Sequence, residues 1–144
     1  MDASLLDTDT LSEFLKRRNA AVTAKAKLYL KQYAQFTFSE FTRFEVRRGY
    51  VDKRATRQLA KFDVFSAHSL VLPIDRIVFD QAALLWSEAR QGGHPRTDAV
   101  LLIGATALVH DLVLVTGNRR HFAWMPGLRI DEPQGQMPPV ASLD

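Results

Sequence analysis

Short apolar runs separate longer amphipathic segments along the chain. Four runs have too few residues for an independent helix and predict buried strands, and a fifth predicts an edge strand: residues 5–6, 36–38, 70–74, 112–116 and 128–130. Residues 112–116 are apolar on both sides of the strand, which is typical of a buried parallel strand. The pattern therefore predicts a small sheet that is covered on both faces.

The segments between these runs carry helix signals. Thr10 and Glu13 have the spacing of a capping box, and Leu11, Phe14 and Leu15 form an apolar stripe behind it. Further helices are predicted over residues 20–33, 40–49 and 53–66, between Asp75 and Gly92, and after Thr97, with Ser39, Asp75 and Thr97 as N-terminal caps and Gly49 as a C-terminal stop.

Two helices carry apolar stripes that predict their buried faces. In the helix over residues 40–49, Phe41 and Phe44 are expected on the inner side. In the helix after Asp75, the residues at helical spacing are Phe79, Ala82, Ala83 and Trp86. We therefore expect these aromatic rings to pack against the sheet.

Strands that alternate with helices indicate a parallel sheet with helices on both faces. The predicted fold is α/β, a three-layer α/β/α sandwich with a short, mainly parallel sheet. With 144 residues the chain fits one domain, expected over residues 1–132. Residues 133–144 have little apolar content and are expected to form a flexible C-terminal tail.

Composition narrows the function classes. The chain has no cysteine, which excludes disulfides and thiol chemistry, and no apolar run of membrane-spanning length. It lacks the pattern of a secretion signal, so a cytoplasmic location is the default expectation. The net charge of +3 favours anionic partners, although basic residues on a solvated surface explain it equally well.

Several polar side chains follow strand ends or begin helices. Asp7 ends the first strand, Glu45 lies early in a helix, Asp98 opens another, and Thr116 and Asn118 end a buried strand. In a parallel sheet these positions lie along one edge, where ligands bind. Carboxylates that converge there repel one another unless a cation neutralises them, and hard oxygen ligands suit Mg²⁺ or Mn²⁺.

Each acidic residue also has a structural explanation. Asp7 can cap a turn, Glu45 can be the third residue of a capping box that begins at Thr42, and Asp98 can stabilise a helix N-terminus. Asp98 shares the helix face of Leu101, so its carboxylate is expected to turn toward the core and to need a partner there.

The order of these motifs resembles one family. Leu5-Leu6-Asp7-Thr8-Asp9 comes first, and Glu45 is followed by Arg47-Arg48-Gly49; then come Thr97-Asp98 with an apolar helix, Thr116-Gly-Asn118 with Arg-Arg-His-Phe122, and Pro126-Gly-Leu-Arg129. From Ser4 to about Ile130 the chain looks like a PIN-domain ribonuclease of the VapC toxin type.

The resemblance implies an endoribonuclease dependent on Mg²⁺ or Mn²⁺, acting on RNA such as a tRNA loop, inhibited by a VapB-like antitoxin and often a homodimer. Asp7, Glu45 and Asp98 match the metal-binding carboxylates, Asn118 stands at the fourth acidic position, and Asp9 and Thr116 match positions that support the site.

Phosphate contacts are expected from Arg43, Arg47, Arg96 and Arg119. An antitoxin helix is expected to dock on apolar stripes that also fit ordinary core packing, namely Leu59, Phe62 and Phe65, and Leu11 and Phe14.

Two other functions remain open. Asn118 in place of an acid fits a non-catalytic PIN-like module that binds RNA or protein. The sequence from Asp7 to Leu11 is also similar to the nucleophile motif of haloacid dehalogenase-like phosphatases, but its threonine is one position early.

Overall fold

A computed structural model describes residues 2–134 of the chain. It contains these strands and helices: β1 (Ser4–Leu6), α1 (Thr8–Lys16), α2 (Ala20–Tyr33), β2 (Thr37–Ser39), α3 (Glu40–Asp52), α4 (Thr56–Ala67), β3 (Leu70–Leu72), α5 (Arg76–Gln91), α6 (Asp98–Val109), β4 (Val113–Val115), α7 (Arg119–Phe122) and β5 (Ile130–Asp131). The predicted tail falls mostly on residues 135–144, which lie outside the described residues.

The five strands form one parallel sheet in the order β3-β2-β1-β4-β5. Successive side chains of a strand point to opposite faces, so Leu5 and Leu6 enter different layers. Leu5 and Leu114 pack with α5 and α6 on one face, while Leu6 and Val115 pack with α1 to α4 on the other. The predicted α/β sandwich with a parallel sheet is confirmed.

Three helix caps are formed as the sequence predicts. The side chains of Ser39, Asp75 and Thr97 accept hydrogen bonds from backbone N–H groups in the first turns of α3, α5 and α6. The capping box predicted at Thr10 and Glu13 is wrong, because α1 begins at Thr8 and is capped by Asp7, whose Oδ1 accepts from the Thr10 N–H at 2.8 Å.

The predicted end of α3 is also wrong. Gly49 lies inside the helix, where its carbonyl accepts a hydrogen bond from the Lys53 N–H at 3.2 Å, and α3 continues to Asp52. The chain turns at Arg54, which takes a left-handed φ of 53°. Glycine permits such a turn but does not require one, so its presence alone does not end a helix.

The stripes predicted for α3 and α5 are largely wrong, although Ala82 of the predicted α5 stripe is buried. Phe44, Phe79 and Trp86 are about half exposed. The buried face of α5 is shifted by one residue and consists of Val78, Ala82, Leu85 and Ala89. Both stripes of α5 have helical spacing, and the smaller side chains permit the close contact of α5 with α6. None of the helices in residues 2–134 has the length and hydropathy needed to cross a membrane.

Candidate functional site

Asp7 occupies the carboxyl end of β1, at the centre of the sheet. Its backbone N–H donates to the Val115 carbonyl at 3.1 Å and its side chain is buried, with the residue 4% exposed. Oδ1 accepts from the Thr10 N–H, and Oδ2 accepts from the Thr116 hydroxyl at 2.5 Å. The same carboxylate therefore caps α1 and joins the ends of two adjacent strands.

The pKa of Asp7 lies above its ordinary value of 3.8 because burial removes water from the carboxylate. Hydrogen bonds from Thr116 and Thr10 oppose this rise, and the charge of Asp9 adds to it. None of the ion pairs among residues 2–134 involves Asp7. Asp7 is thus a buried carboxylate with hydroxyl and amide donors but without an ion-pair partner among the described residues.

Asn118 links Asp9 to this centre. Its side-chain amide donates to Asp9 Oδ2 at 2.7 Å, while its backbone N–H donates to Thr116 Oγ1 at 3.0 Å. Thr116 in turn donates to Asp7. The structure therefore brings four of the sequence-predicted residues, Asp7, Asp9, Thr116 and Asn118, into one hydrogen-bonded group.

Glu45 approaches the same edge from α3. Thr8, the residue after Asp7, donates its hydroxyl proton to Glu45 Oε1 at 2.7 Å, and the Thr8 and Thr42 hydroxyl oxygens are 3.1 Å apart. Ser39 rather than Thr42 caps α3, so the capping-box explanation for Glu45 is wrong. Glu45 Oε2 lies 3.4 Å from Arg48 Nη2.

Thr8 and Thr42 are site residues that sequence reasoning did not select. A threonine between two aspartates, and a threonine three residues before Glu45, are the only signals that the sequence offers. Both patterns also occur at ordinary helix starts, where a hydroxyl satisfies local backbone groups. Only the meeting of α1 with α3 shows that the hydroxyl of Thr8, the residue after Asp7, reaches the Glu45 carboxylate.

Asp98 opens α6 and is exposed. Because α6 leads through a short turn into β4, its first residue lies toward the carboxyl edge of the sheet. The expectation that this carboxylate turns into the core is wrong, and it has no hydrogen bond or ion pair within residues 2–134. The N-terminus of α6 thus presents an exposed carboxylate toward the edge of the sheet at which Asp7 lies.

The oxygen atoms of this site suit a hard divalent cation as ligands, since they belong to carboxylates and hydroxyls near a buried negative charge. They are not gathered into a ready ligand set, because residues 2–134 contain no group of three or more His, Cys, Asp or Glu side chains placed to hold a metal ion. Asp7 is held by hydrogen bonds from Thr10 and Thr116, Glu45 is held by Thr8, and Asp98 is exposed.

The class of this protein is defined by a parallel α/β sandwich with a buried carboxylate, Asp7, at the carboxyl end of its central strand. The PIN domain family model matches residues 4–127, and the chain belongs to this family. The PIN-like fold predicted from the sequence is confirmed, and membership of this family removes the support for a haloacid dehalogenase-like phosphatase.

Solved structures agree with this assignment. The chain is similar to DNA-bound VapBC from Salmonella typhimurium, with 26% identity and a TM-score of 0.82 over 92% of this chain and 99% of that chain. VapBC2 from Rickettsia felis bound to a promoter DNA fragment is 19% identical, with a TM-score of 0.79 over 90% of this chain and 97% of that chain. A toxin–antitoxin complex from Klebsiella pneumoniae is 24% identical, with a TM-score of 0.68 over 90% of this chain and 97% of that chain.

The resemblance to the VapC type is confirmed by these structural matches. No protein of curated function matches the sequence significantly.

Proposed function

We propose that this chain is a VapC-type endoribonuclease toxin that needs Mg²⁺ or Mn²⁺ and is neutralised by a VapB-like antitoxin. The observation that carries the proposal is Asp7, a buried carboxylate at the carboxyl edge of the sheet with no cationic partner among the described residues. Family membership and the likeness to VapBC of Salmonella typhimurium support it.

Asp7, Glu45 and Asp98 are the residues that would hold the cation. Such an ion lowers the pKa of a bound water and offsets charge that develops on a phosphate. The chain itself sets the geometry of Asp7: the Thr116 hydroxyl and the Thr10 N–H fix its carboxylate and favour its ionised form. A neutral Asp7 would be a poorer metal ligand, so Thr116 supports the function through Asp7.

Two further contacts order the surroundings of Asp7. Thr8 holds Glu45 through a hydrogen bond to one carboxylate oxygen, which leaves the other near Arg48. Asn118 holds Asp9, so the group at the fourth acidic position acts as a hydrogen-bond donor. We therefore assign Asp9 and Asn118 to support of the β4–α7 turn.

The test is cleavage of single-stranded and stem-loop RNA, including tRNA, by the purified chain with Mg²⁺ or Mn²⁺, followed by sequencing of the RNA ends. Discrete cuts that disappear with EDTA and with Asp7→Asn would support the proposal. Asp80→Asn on α5 is the matched control, because Asp80 is exposed and lies outside the site. Binding of RNA without turnover would instead identify a non-catalytic PIN-like module.

An antitoxin segment has a candidate groove between α1, α2 and α4. This groove of about 700 Å³ is lined by Phe14, Leu15, Leu30, Tyr50 and Phe65 among others. Leu11 and Phe62 are 0% and 2% exposed and belong to the core, so only part of the two predicted stripes is available for docking. Its apolar lining suits the apolar face of a helix.

A homodimer is part of the same proposal and follows from the resemblance. Sedimentation of the purified chain would measure the assembly state. Relief of growth arrest by co-expression of an antitoxin would test the partner independently of the cleavage assay.

A further inference from the structure

Arg96 differs from the other arginines expected to contact phosphate. Three of the four form ion pairs with carboxylates: Arg43 with Glu40 at 3.0 Å, Arg47 with Asp63 at 3.6 Å and Arg119 with Glu132 at 3.3 Å. Arg96 has no ion pair and no hydrogen bond within residues 2–134. It is therefore the one of these four cations whose charge is not already neutralised by a side chain.

The guanidinium of Arg96 stacks over an aromatic ring. Its Cζ lies 5.7 Å from the ring centroid of Trp124, within the range of a cation–π contact. Its Nε is fully covered and has no hydrogen-bond partner, whereas the two terminal nitrogens have no hydrogen bond and are not fully covered. The side chain is thus partly buried against Trp124, and its terminal nitrogens remain available for a hydrogen-bond acceptor.

Trp124 is itself held in place by its neighbours. Its indole Nε1–H donates to the His121 carbonyl at 2.7 Å. The next residue, Met125, is 3% exposed and packs on Gly104 of α6, where an added Cβ would come within 2.2 Å of Met125 Sδ. Gly104 therefore lets the segment after α7 lie close to α6, which brings the indole ring to Arg96.

The pair connects two segments that carry candidate site residues. Arg96 directly precedes Thr97, the cap of α6, and stands two residues before Asp98. Trp124 follows the short helix α7, which begins after Asn118. An anion bound by the terminal nitrogens of Arg96 would consequently lie near the N-terminus of α6, the helix that Asp98 opens.

We propose that Arg96 binds a phosphodiester group of the RNA substrate next to the scissile bond, and that Trp124 is the positioning residue for its guanidinium. This inference rests on the proposed ribonuclease function. A planar guanidinium binds two phosphate oxygens in parallel, which a lysine ammonium does not reproduce. Stacking on Trp124 restricts the long side chain before RNA arrives, so less rotamer entropy is lost on binding.

The experiment measures KM and kcat for RNA cleavage, and the Kd for a short single-stranded RNA in EDTA. Arg96→Gln should raise KM and Kd at least about tenfold, the factor that corresponds to 1.4 kcal/mol, with little change in kcat. It should also reduce the slope of log Kd against log salt by about 0.7, as expected for one lost phosphate contact.

Trp124 and the kind of cation at position 96 are tested by paired variants. Trp124→Leu should raise KM without lowering kcat, whereas Trp124→Phe, which keeps an aromatic face, should restore most of the affinity. Arg96→Lys keeps the charge but should remain impaired. Equal behaviour of Arg96→Lys and wild type, or of Trp124→Leu and wild type, would overturn the assignment.

The matched controls are Arg90→Gln and Trp86→Leu. Arg90 stacks on Trp86 at 4.7 Å, on a helix without candidate site residues. These controls lose the same charge or ring and should leave KM and Kd unchanged. If wild type cleaves RNA and Arg96→Gln matches Arg90→Gln, the inference fails while the proposed function stands. If wild type neither binds nor cleaves RNA, both fail.

Discussion

Replacement of Asp7 by asparagine should remove cleavage and leave the fold intact. Asparagine has nearly the same shape, and its Oδ1 can still accept the 2.8 Å hydrogen bond from the Thr10 N–H that begins α1. Loss of a metal-binding carboxylate should lower the rate at least about 100-fold, since the charge stabilisation supplied by a metal is worth several kcal/mol.

The effect on stability follows from the two hydrogen bonds of Asp7. A hydrogen bond to a charged group contributes about 1.5–3 kcal/mol and a neutral one about 0.5–1.5, so asparagine loses about 1 kcal/mol at each of Thr10 and Thr116. This loss is offset because a buried charge without a cationic partner disappears. We expect the free energy of unfolding of the metal-free variant to lie within about 1 kcal/mol of the wild-type value near neutral pH.

The pH dependence gives the sharper test. Burial raises the pKa of Asp7 in the folded state above its ordinary value of 3.8, so between these two values the folded protein binds more protons than the unfolded chain. The stability of wild type relative to Asp7→Asn is therefore greatest below pH 3.8. It should fall as the pH rises through the raised pKa and then stay constant.

Urea unfolding in EDTA across the acidic range measures this difference. Asp75→Asn is the matched control, because Asp75 also caps a helix through the Val78 N–H at 3.0 Å but is exposed. The argument from burial would be refuted if the stability of wild type relative to Asp7→Asn rose with pH or did not depend on pH. Unimpaired cleavage by the folded variant would refute the role of Asp7.

Three other predictions concern the neighbours of Asp7. Thr116→Val removes the hydroxyl donor, so cleavage should fall about 10–100-fold and its acidic limb should move to higher pH in a pH–rate profile, because the pKa of Asp7 rises further. Ser39→Ala removes the cap that accepts the Thr42 N–H and should cost about 1 kcal/mol in urea unfolding. Asp98→Asn should change the free energy of unfolding by less than about 1 kcal/mol without metal, because Asp98 is exposed. In urea unfolding with Mg²⁺ at about 100 times its Kd, wild type should gain about 2.7 kcal/mol of unfolding free energy, and the variant should lose this gain.

Local signals were sufficient to predict the order of the strands and helices except for the short helix α7, which was not predicted from the sequence. Short apolar runs predict strands, because they are too short for a helix and suit a strand that is buried on both faces. Side-chain oxygens of Ser39, Asp75 and Thr97 mark helix starts, because they accept hydrogen bonds from the free N–H groups there. The strand ends then place Asp7 and Thr116 side by side without further information, because parallel neighbours in a sheet end at the same edge.

Choices between equivalent local patterns were not predictable. Helix α5 has two apolar stripes, and contact with α6 rather than hydropathy decides that Val78 and Leu85 are buried while Phe79 and Trp86 remain exposed. The same limit applies to Asp98, because a one-residue change of phase at a helix N-terminus turns a side chain from the core to solvent. Tertiary packing settles such cases.

Five of the buried polar residues lie at one edge of the sheet, although polar burial lowers stability unless every group is satisfied. They are Asp7, Thr10, Ser39, Thr42 and Thr116. The four hydroxyls all form hydrogen bonds with neighbouring groups, so the unbalanced element of this edge is the negative charge of Asp7. Repulsion from this charge opposes the approach of Glu45 and Asp98, and a bound divalent cation would turn that repulsion into attraction. The proposed cation would therefore offset the cost of burying the Asp7 carboxylate at this edge.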